Sequence, residues 1–361
     1  MEQFIGLDVS QKTTHLCIVA GDGRTVWQGQ CASTPEAIAT AIKARADQVI
    51  RIGLESGPLS TWHWHALKAL GLPVVCLDAR HAQATLGLQI NKTDRNDAHG
   101  LAQMVRMGWY RAVEVKSLAS HSARALLGIR AQLVGMQTKV TNQLRGILKT
   151  FGLVLGKGGG RAFDQQVEAW APQTGLLGDS VRALLAVLRN LREQLRNLNR
   201  AVRAFGQQQP VCRHLMSVPG VGRLTAMAFV TAIDNPTRFR RSRNVGAYLG
   251  LTPRRYQSGE LDLGGRISRC GDPLLRGYLY EAANVLLTRV TLWSTLKAWG
   301  LRLARRVGMK KAKVAVARKL AVLLHRMWVT GEAYRWSEPA DCRLEERRRE
   351  QPFSVTITPL P

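Results

Sequence analysis

Acidic residues are scarce in this chain. Its 361 residues hold 25 Asp and Glu against 52 Lys and Arg, a formal net charge of +27. An excess of that size calls for a polyanionic partner, and nucleic acid is the usual one. Long apolar runs are also lacking. No stretch of about 18 apolar residues occurs, nor a basic leader with an apolar core, so the sequence predicts a soluble, intracellular protein with no membrane partner. Paired cysteines are absent too. Cys17, Cys31, Cys76, Cys212, Cys270 and Cys342 show no CxxC spacing and no histidine at finger distance, which argues against zinc and against a disulfide framework. Cys17 and Cys76 fall inside apolar strand patterns, where a thiol is a small hydrophobe.

Because acids are few, the placed ones carry information. Asp8 closes the apolar run in FIGLDVS, Glu55 closes IRIGLES, and Asp94 and Asp97 stand three apart in NKTDRNDAHGL, where a helical pattern begins. Two strand ends and a helix start can converge on one point. Convergent carboxylates repel one another unless cations neutralise them, and an all-oxygen set suits Mg²⁺ or Mn²⁺. Such a metal activates water or a hydroxyl for phosphoryl transfer. Taken singly, each acid has a plainer role: Asp and Glu are common after strands, and Thr93 makes a good N-cap with Asp94 and Asp97 in a first turn that favours negative charge. The order of elements tips the balance. Strand, hairpin, strand, strand, helix, strand with Glu, helix, strand, helix with the Asp pair is the order of a ribonuclease-H-like α/β domain, with acids where such a domain keeps its metal ligands.

The chain divides by pattern into residues 1–110, the α/β domain; 111–210, a helical coiled-coil segment; 211–335, a mainly α-helical domain; and 336–361, a loose charged tail. Strands are expected over 3–9, 14–20 and 24–30, the last two joined at Gly21-Asp22-Gly23. A helix from Thr34 to about Val49, a strand over 51–55, a helix over 59–70, a strand over 73–77 and a helix ending near Gly108 complete the domain. In the helix over 59–70, Leu59 and Trp62 are core candidates, with His63 and His65 at the surface. Helices over about 118–149 and 178–205, broken by a Gly-rich loop at GKGGG, carry leucines at three- and four-residue steps. They form either an antiparallel pair within the chain or a dimerising coiled coil. GKGGG lacks the GxxxxGK[ST] spacing of a phosphate loop.

The mainly helical domain opens on a PGVG corner with Gly220 and Gly222, which resembles the hairpin of helix-hairpin-helix modules, whose glycines let amides approach phosphate. RFRRSRNVGAYLGLTPRRY follows, with Arg238, Arg240, Arg241, Arg243, Arg254 and Arg255 interleaved with Tyr248 and Tyr256. Guanidinium forks suit phosphate, so these arginines, with Arg266 and Arg269 in GGRISR, are nucleic-acid contact candidates. A helix over 310–328 has a basic face at Lys310, Lys311, Lys313, Arg318 and Lys319.

IGLDVSQKT, GLESGPLSTWHWHAL, KTDRNDAHGLA, PGVGRLTA and AYLGLTPRRYQSGELDLGGRISRCGDPLLRGYLYEAA together resemble the DEDD-type insertion-sequence transposases of family one-hundred-and-ten. The blocks span nearly the whole chain in the family's order. The resemblance implies a RuvC-like domain with Asp8, Glu55, Asp94 and Asp97 as metal ligands, and a second domain with Ser258 as nucleophile. Many relatives read SSGG where this chain reads QSGE, so Gln257 and Glu260 depart from the pattern; Ser268 is the fallback serine. The resemblance further implies donor and target DNA as substrates, a structured non-coding bridge RNA as guide, a homo-oligomer (dimer or tetramer), and a cytoplasmic, nucleoid-associated role in a bacterium. Serine and acids lie far apart in sequence, so their domains must close on each other, or a neighbouring protomer must supply one half. Two other functions fit the residues: a RuvC-like metal-dependent nuclease or junction resolvase using water, and a nonenzymatic nucleic-acid-binding protein.

Overall fold

A computed structural model describes residues 1–87, 91–156, 158–171 and 175–336. The chain forms two compact units, Met1–Lys116 and one beginning at Ser117. Lys157 of the GKGGG loop, Cys342 and the tail beyond Trp336 lie outside the described residues.

The first unit is a mixed six-stranded sheet between helices. Its strands are β1 (Glu2–Val9), β2 (Thr13–Ala20), β3 (Thr25–Ala32), β4 (Gln48–Glu55), β5 (Val74–Leu77) and β6 (Ala112–Val113). They lie in the order β3-β2-β1-β4-β5-β6, with β1, β4 and β5 parallel and β2, β3 and β6 antiparallel to their neighbours. The helices are α1 (Pro35–Lys43), α2 (Ser60–Ala69), α3 (Ala79–Leu86) and α4 (Asp94–Met107). Alternation along the strands feeds two cores. Ile5, Leu7, Ile52 and Leu54 join Ile38 and Ile42 of α1 and Leu67 of α2 on one face. Phe4, Cys17 and Val19 join Leu101, Ala102 and Val105 of α4 on the other.

Gly6 and Gly53 pair side by side on β1 and β4, and both face α4. A Cβ on Gly6 would overlap the Ala98 carbonyl oxygen and the Ala102 nitrogen, and one on Gly53 would meet Val105 Cγ1 at 2.5 Å. Helix backbone therefore rests directly on strand backbone at this point.

Two expectations for this unit are corrected. Helix α1 stops at Lys43, not Val49, because Val49 is already paired with Gln3 in the sheet. On α2 the buried residues are His63 and Leu67, four apart, whereas Trp62 is 49% exposed. The helix is turned by about one residue from the expected phase; His63 Nδ1 bonds the Leu59 carbonyl at 3.0 Å, which satisfies one ring nitrogen and leaves the buried Nε2 without a partner.

The second unit is mainly helical. Helices α5 (Leu118–Thr150), α6 (Arg161–Trp170) and α7 (Leu176–Gln208) come first. The long pair packs within the chain: Leu144 and Leu148 meet Val181, Leu185 and Leu188, while Arg130 Nε donates to Asn199 Oδ1 at 2.7 Å nearer the other end. The leucine stripe of α7 thus has α5 as its antiparallel partner.

Next come α8 (Pro210–Leu215), α9 (Arg223–Ile233), α10 (Arg243–Tyr248), the hairpin β7 (Pro253–Ser258) and β8 (Leu261–Ile267), then α11 (Pro273–Thr288), α12 (Thr295–Val307) and α13 (Met309–Thr330). A single core of α5, α7, α9, α11 and α13 residues holds them together. Asp234 follows α9 at φ +62°. Its carboxylate accepts from the Ser117 amide at 2.8 Å and from the Ser117 and Ser120 hydroxyls, fixing the start of α5. Among the described residues no helix is long and apolar enough to cross a membrane.

Candidate active site

Strand alternation and helix phase act together at one end of the first sheet. On β1, Phe4, Gly6 and Asp8 share the α4 face; on β4, Gly53 and Glu55 do. Leu7 pairs with Leu54, so Asp8 and Glu55 close neighbouring strands at the same level. On α4, Ala98, Leu101, Ala102 and Val105 form the buried stripe. Asp94 and Asp97 extend that stripe by one turn towards the N-terminus. Asp94 and Asp97 thereby come to the same end of the sheet as Asp8 and Glu55.

Their electrostatics show the proximity. Burial raises the Asp8 carboxyl above its ordinary value, and the charges of Asp94 and Asp97 raise it further, against His15 and Lys92. Glu55 is likewise pushed up by burial, then by Asp8 and Asp97, with Lys92 opposing. Capping of α4 falls to Thr93, whose hydroxyl accepts from the Asn96 amide at 3.2 Å. Asp97 is free of that duty, and its Oδ1 is buried without a hydrogen-bond partner. Such an orphan costs roughly 1–3 kcal/mol or more for a charged group. Asp94 is 66% exposed, with its Oδ2 3.7 Å from His15 Nε2. Among the described residues no three His, Cys, Asp or Glu side chains stand close enough to grip one ion. The acids share a field but are not drawn up as a cage.

His15 and Lys92 were missed by the sequence reading. The β1–β2 hairpin pairs Asp8 with His15, which counting outward from its turn would have found. Lys92 directly precedes the cap Thr93, a signal masked by the basicity of the whole chain.

In the second unit Ser258 ends β7, exposed beside the turn at Gly259. Gly259 has φ +55°. Ser268 serves the hairpin's foot: its amide donates to the Thr252 carbonyl at 2.9 Å and its hydroxyl accepts from the Cys270 amide. The arginines divide. Arg240, Arg241 and Arg243 are exposed. Arg238 lies over the rings of Phe239 and Tyr248, at 4.9 and 4.6 Å. Arg255 grips Asp262 with both Nε and Nη2, at 2.7 and 2.5 Å, across the hairpin. Arg254 donates to the Ser268 carbonyl; Arg266 and Arg269 are exposed.

At the PGVG corner the glycines differ in role. Gly220 has φ +83°, and a Cβ there would overlap the Ala282 carbonyl oxygen and stand 3.2 Å from the Leu286 nitrogen of α11. Its bareness serves packing inside the chain. Gly222 caps α9 with open space around it.

Two family models match the chain. A transposase model of the DEDD IS110 type matches residues 5–152, which include all four acids, and the model described as Transposase IS116/IS110/IS902 family matches 212–298, which include Ser258. Among curated relatives, the transposase for insertion sequence element IS1111A of Coxiella burnetii is 27% identical over 92% of this chain and 91% of its own length. A putative transposase of Sinorhizobium fredii is 31% identical over 68% of this chain and 65% of its own, and a probable family 20 transposase of Pseudomonas aeruginosa is 28% identical over 68% and 74%. The class is that of DNA-cutting and rejoining enzymes of mobile elements. The chain belongs to the IS110 family of insertion-sequence transposases.

Proposed function

We propose that this transposase breaks and rejoins DNA with a divalent ion held by Asp8, Glu55, Asp94 and Asp97 and with Ser258 as the attacking group. The observation that carries the metal half is the buried, unpartnered Oδ1 of Asp97, set where two carboxyls already hold their protons more tightly than usual. An all-carboxylate set with one orphaned oxygen suits a hard ion such as Mg²⁺ or Mn²⁺. When bound, the ion supplies charge neutralisation at phosphate oxygens and lowers the pKa of an attacking hydroxyl. The sheet order, with an antiparallel β1–β2–β3 meander followed by parallel β4 and β5, supports a ribonuclease-H-like, RuvC-like domain.

Ser258 attacks phosphorus; the new Ser Oγ–P bond replaces the bond to the departing deoxyribose oxygen, which leaves with the proton. The phosphoserine ester conserves the phosphodiester energy, so attack by a deoxyribose hydroxyl reverses the step and rejoins DNA without an external energy source. Exposure of Ser258 on a hairpin end supports access to DNA. The exposed Arg240, Arg241 and Arg243 provide phosphate contacts. Guidance by a structured bridge RNA and action as a homo-oligomer rest on the resemblance of the motif blocks and on the charge excess.

Calorimetric titration with Mg²⁺ and Mn²⁺ tests the metal half. Wild type should bind either ion and Asp97→Asn should bind at least about tenfold more weakly, the lower end of the loss that follows even when a group that only orients a metal ligand is removed. Equal affinity would return Asp97 to a helix-terminal role.

A further inference from the structure

Within the second unit, α12, α13 and the foot of the β7–β8 hairpin enclose a groove of about 1710 Å³. Small-molecule sites span roughly 300–1,000 Å³, so the groove is sized for a polymer. Its apolar floor includes Leu251, Ile267, Leu296, Val314 and Leu323. Eight Lys and Arg line it against one carboxylate, Glu332, and that carboxylate is engaged by Arg326 at 3.2 Å. Lys319 sets its ammonium 4.0 Å from the ring centre of Trp299, so charge and aromatic surface meet inside the groove. Tyr334 adds a second ring.

Apolar floor beneath cationic rims is the complement of an unpaired polynucleotide, whose bases turn to aromatic and apolar surface while phosphates turn to lysine and arginine. A duplex keeps its base faces stacked and hidden from such a floor. We propose that this groove holds a single strand of DNA. The choice of DNA rests on the reading of Ser258 given above. Strand β7 leads from Pro253, in the groove wall, to Ser258, about 17 Å at ~3.3 Å per residue. A strand lying in the groove therefore has its phosphates a few nucleotides from the serine, so the groove acts as a positioning site for the strand to be cut.

The test uses the full-length Ser258→Ala protein, so that cleavage does not enter, with a labelled oligothymidine, the same length of oligouridine, and a duplex. Fluorescence anisotropy is read across a salt series. Arg266→Glu with Lys310→Glu and Lys311→Glu should weaken oligothymidine binding about tenfold or more and flatten the log–log salt slope by about 2, at ~0.7 per phosphate contact on a single strand. Lys43→Glu with Lys68→Glu, neither of which lines the groove, should leave it within about twofold, since salt screens charges that make no contact. Ultraviolet crosslinks of oligothymidine should fall on peptides containing Trp299 or Tyr334. Should the triple variant unfold, Lys310→Gln with Lys311→Gln must give the same direction. Unchanged oligothymidine affinity, crosslinks only outside residues 251–335, or stronger groove-dependent binding of oligouridine or duplex would each overturn the assignment. Normal cleavage by Ser258→Ala would remove the serine reading while leaving this binding result standing.

Discussion

Gly6→Ala should pull the carboxylate cluster apart without altering any carboxylate. The added methyl would occupy the place of the Ala98 carbonyl oxygen and the Ala102 nitrogen and stand 3.0 Å from the Leu101 carbonyl carbon. All three are helix backbone, so no side chain can swing clear; α4 must lift from β1. Overpacking of this kind costs about 1–3 kcal/mol. Against a total stability of roughly 5–15 kcal/mol the protein stays folded, with Tm lower by about 2–4 °C per kcal/mol. The larger effect is on chemistry. Asp94 and Asp97 ride on α4 while Asp8 stays on β1, and a displacement of about 1 Å in a catalytic constellation costs on the order of 10²-fold in rate. Gly53→Ala is the graded comparison, since its methyl meets the Val105 side chain, Cγ1 at 2.5 Å, and not helix backbone; Val105 is buried and stiff at χ1, so this variant also loses stability but should displace α4 less. Mg²⁺-dependent cleavage, Mg²⁺ affinity and Tm should be measured on both variants. Gly6→Ala with wild-type rate and wild-type Mg²⁺ affinity would refute the claim that this backbone contact sets the cluster.

Further outcomes follow from other contacts. Asp8 and Glu55 have folded pKa values raised above their unfolded ones, so the native state binds the extra protons. Without added metal, the contribution of these two carboxyls to stability should therefore be fully present below their unfolded values and lost as pH rises through the folded ones; Asp8→Asn should raise Tm at pH 7 while abolishing activity, both read by thermal melts and a cleavage assay. Asp272 behaves oppositely: burial would raise it, but the Leu275 amide and Arg124, at 2.5 Å, hold it below its usual value. Its contribution is present above the unfolded pKa and lost as pH falls through the folded one, and Arg124→Ala should destabilise by about 1–3 kcal/mol in denaturant melts. Gly220→Ala combines a left-handed backbone with overlap on α11 and should lower stability by about 2 kcal/mol or more while leaving Mg²⁺ affinity of the first unit intact. Light scattering with nucleic acid bound should give a multimeric mass; a monomer there would remove the oligomer from the account.

Much of the first unit was legible because half-buried strands alternate and its turns are marked: Gly21-Asp22-Gly23 and the left-handed cap Gly108 fall where the sequence places them. What escaped notice lacked a local signal. The hairpin β7–β8 is exposed along nearly its whole length, so no alternation distinguishes it from a basic loop. Helix α2 misled because a large aromatic attracts a core assignment, yet the position of His63 against the sheet is decided by tertiary packing. Helices α3 and α6 are too short for a clear period. The four acids stood out because each lies at or near the end of an element, whereas Gly6, where helix backbone meets strand backbone, reads locally as an unfavourable strand residue. The long helices left two partners open, and only packing shows that α7 buries its stripe against α5.

The proposed reaction stands on one step, the joining of Ser258 to DNA under control of the four carboxylates. The most direct measurement is mass spectrometry of the protein quenched in denaturant during reaction with cognate donor and target DNA, any required RNA and Mg²⁺. A nucleotide adduct is expected on the peptide containing Ser258, absent from Ser258→Ala and from Asp97→Asn. DNA cut and rejoined at the wild-type rate by Ser258→Ala, with no protein–DNA adduct in either protein, would contradict it and assign the attack to water.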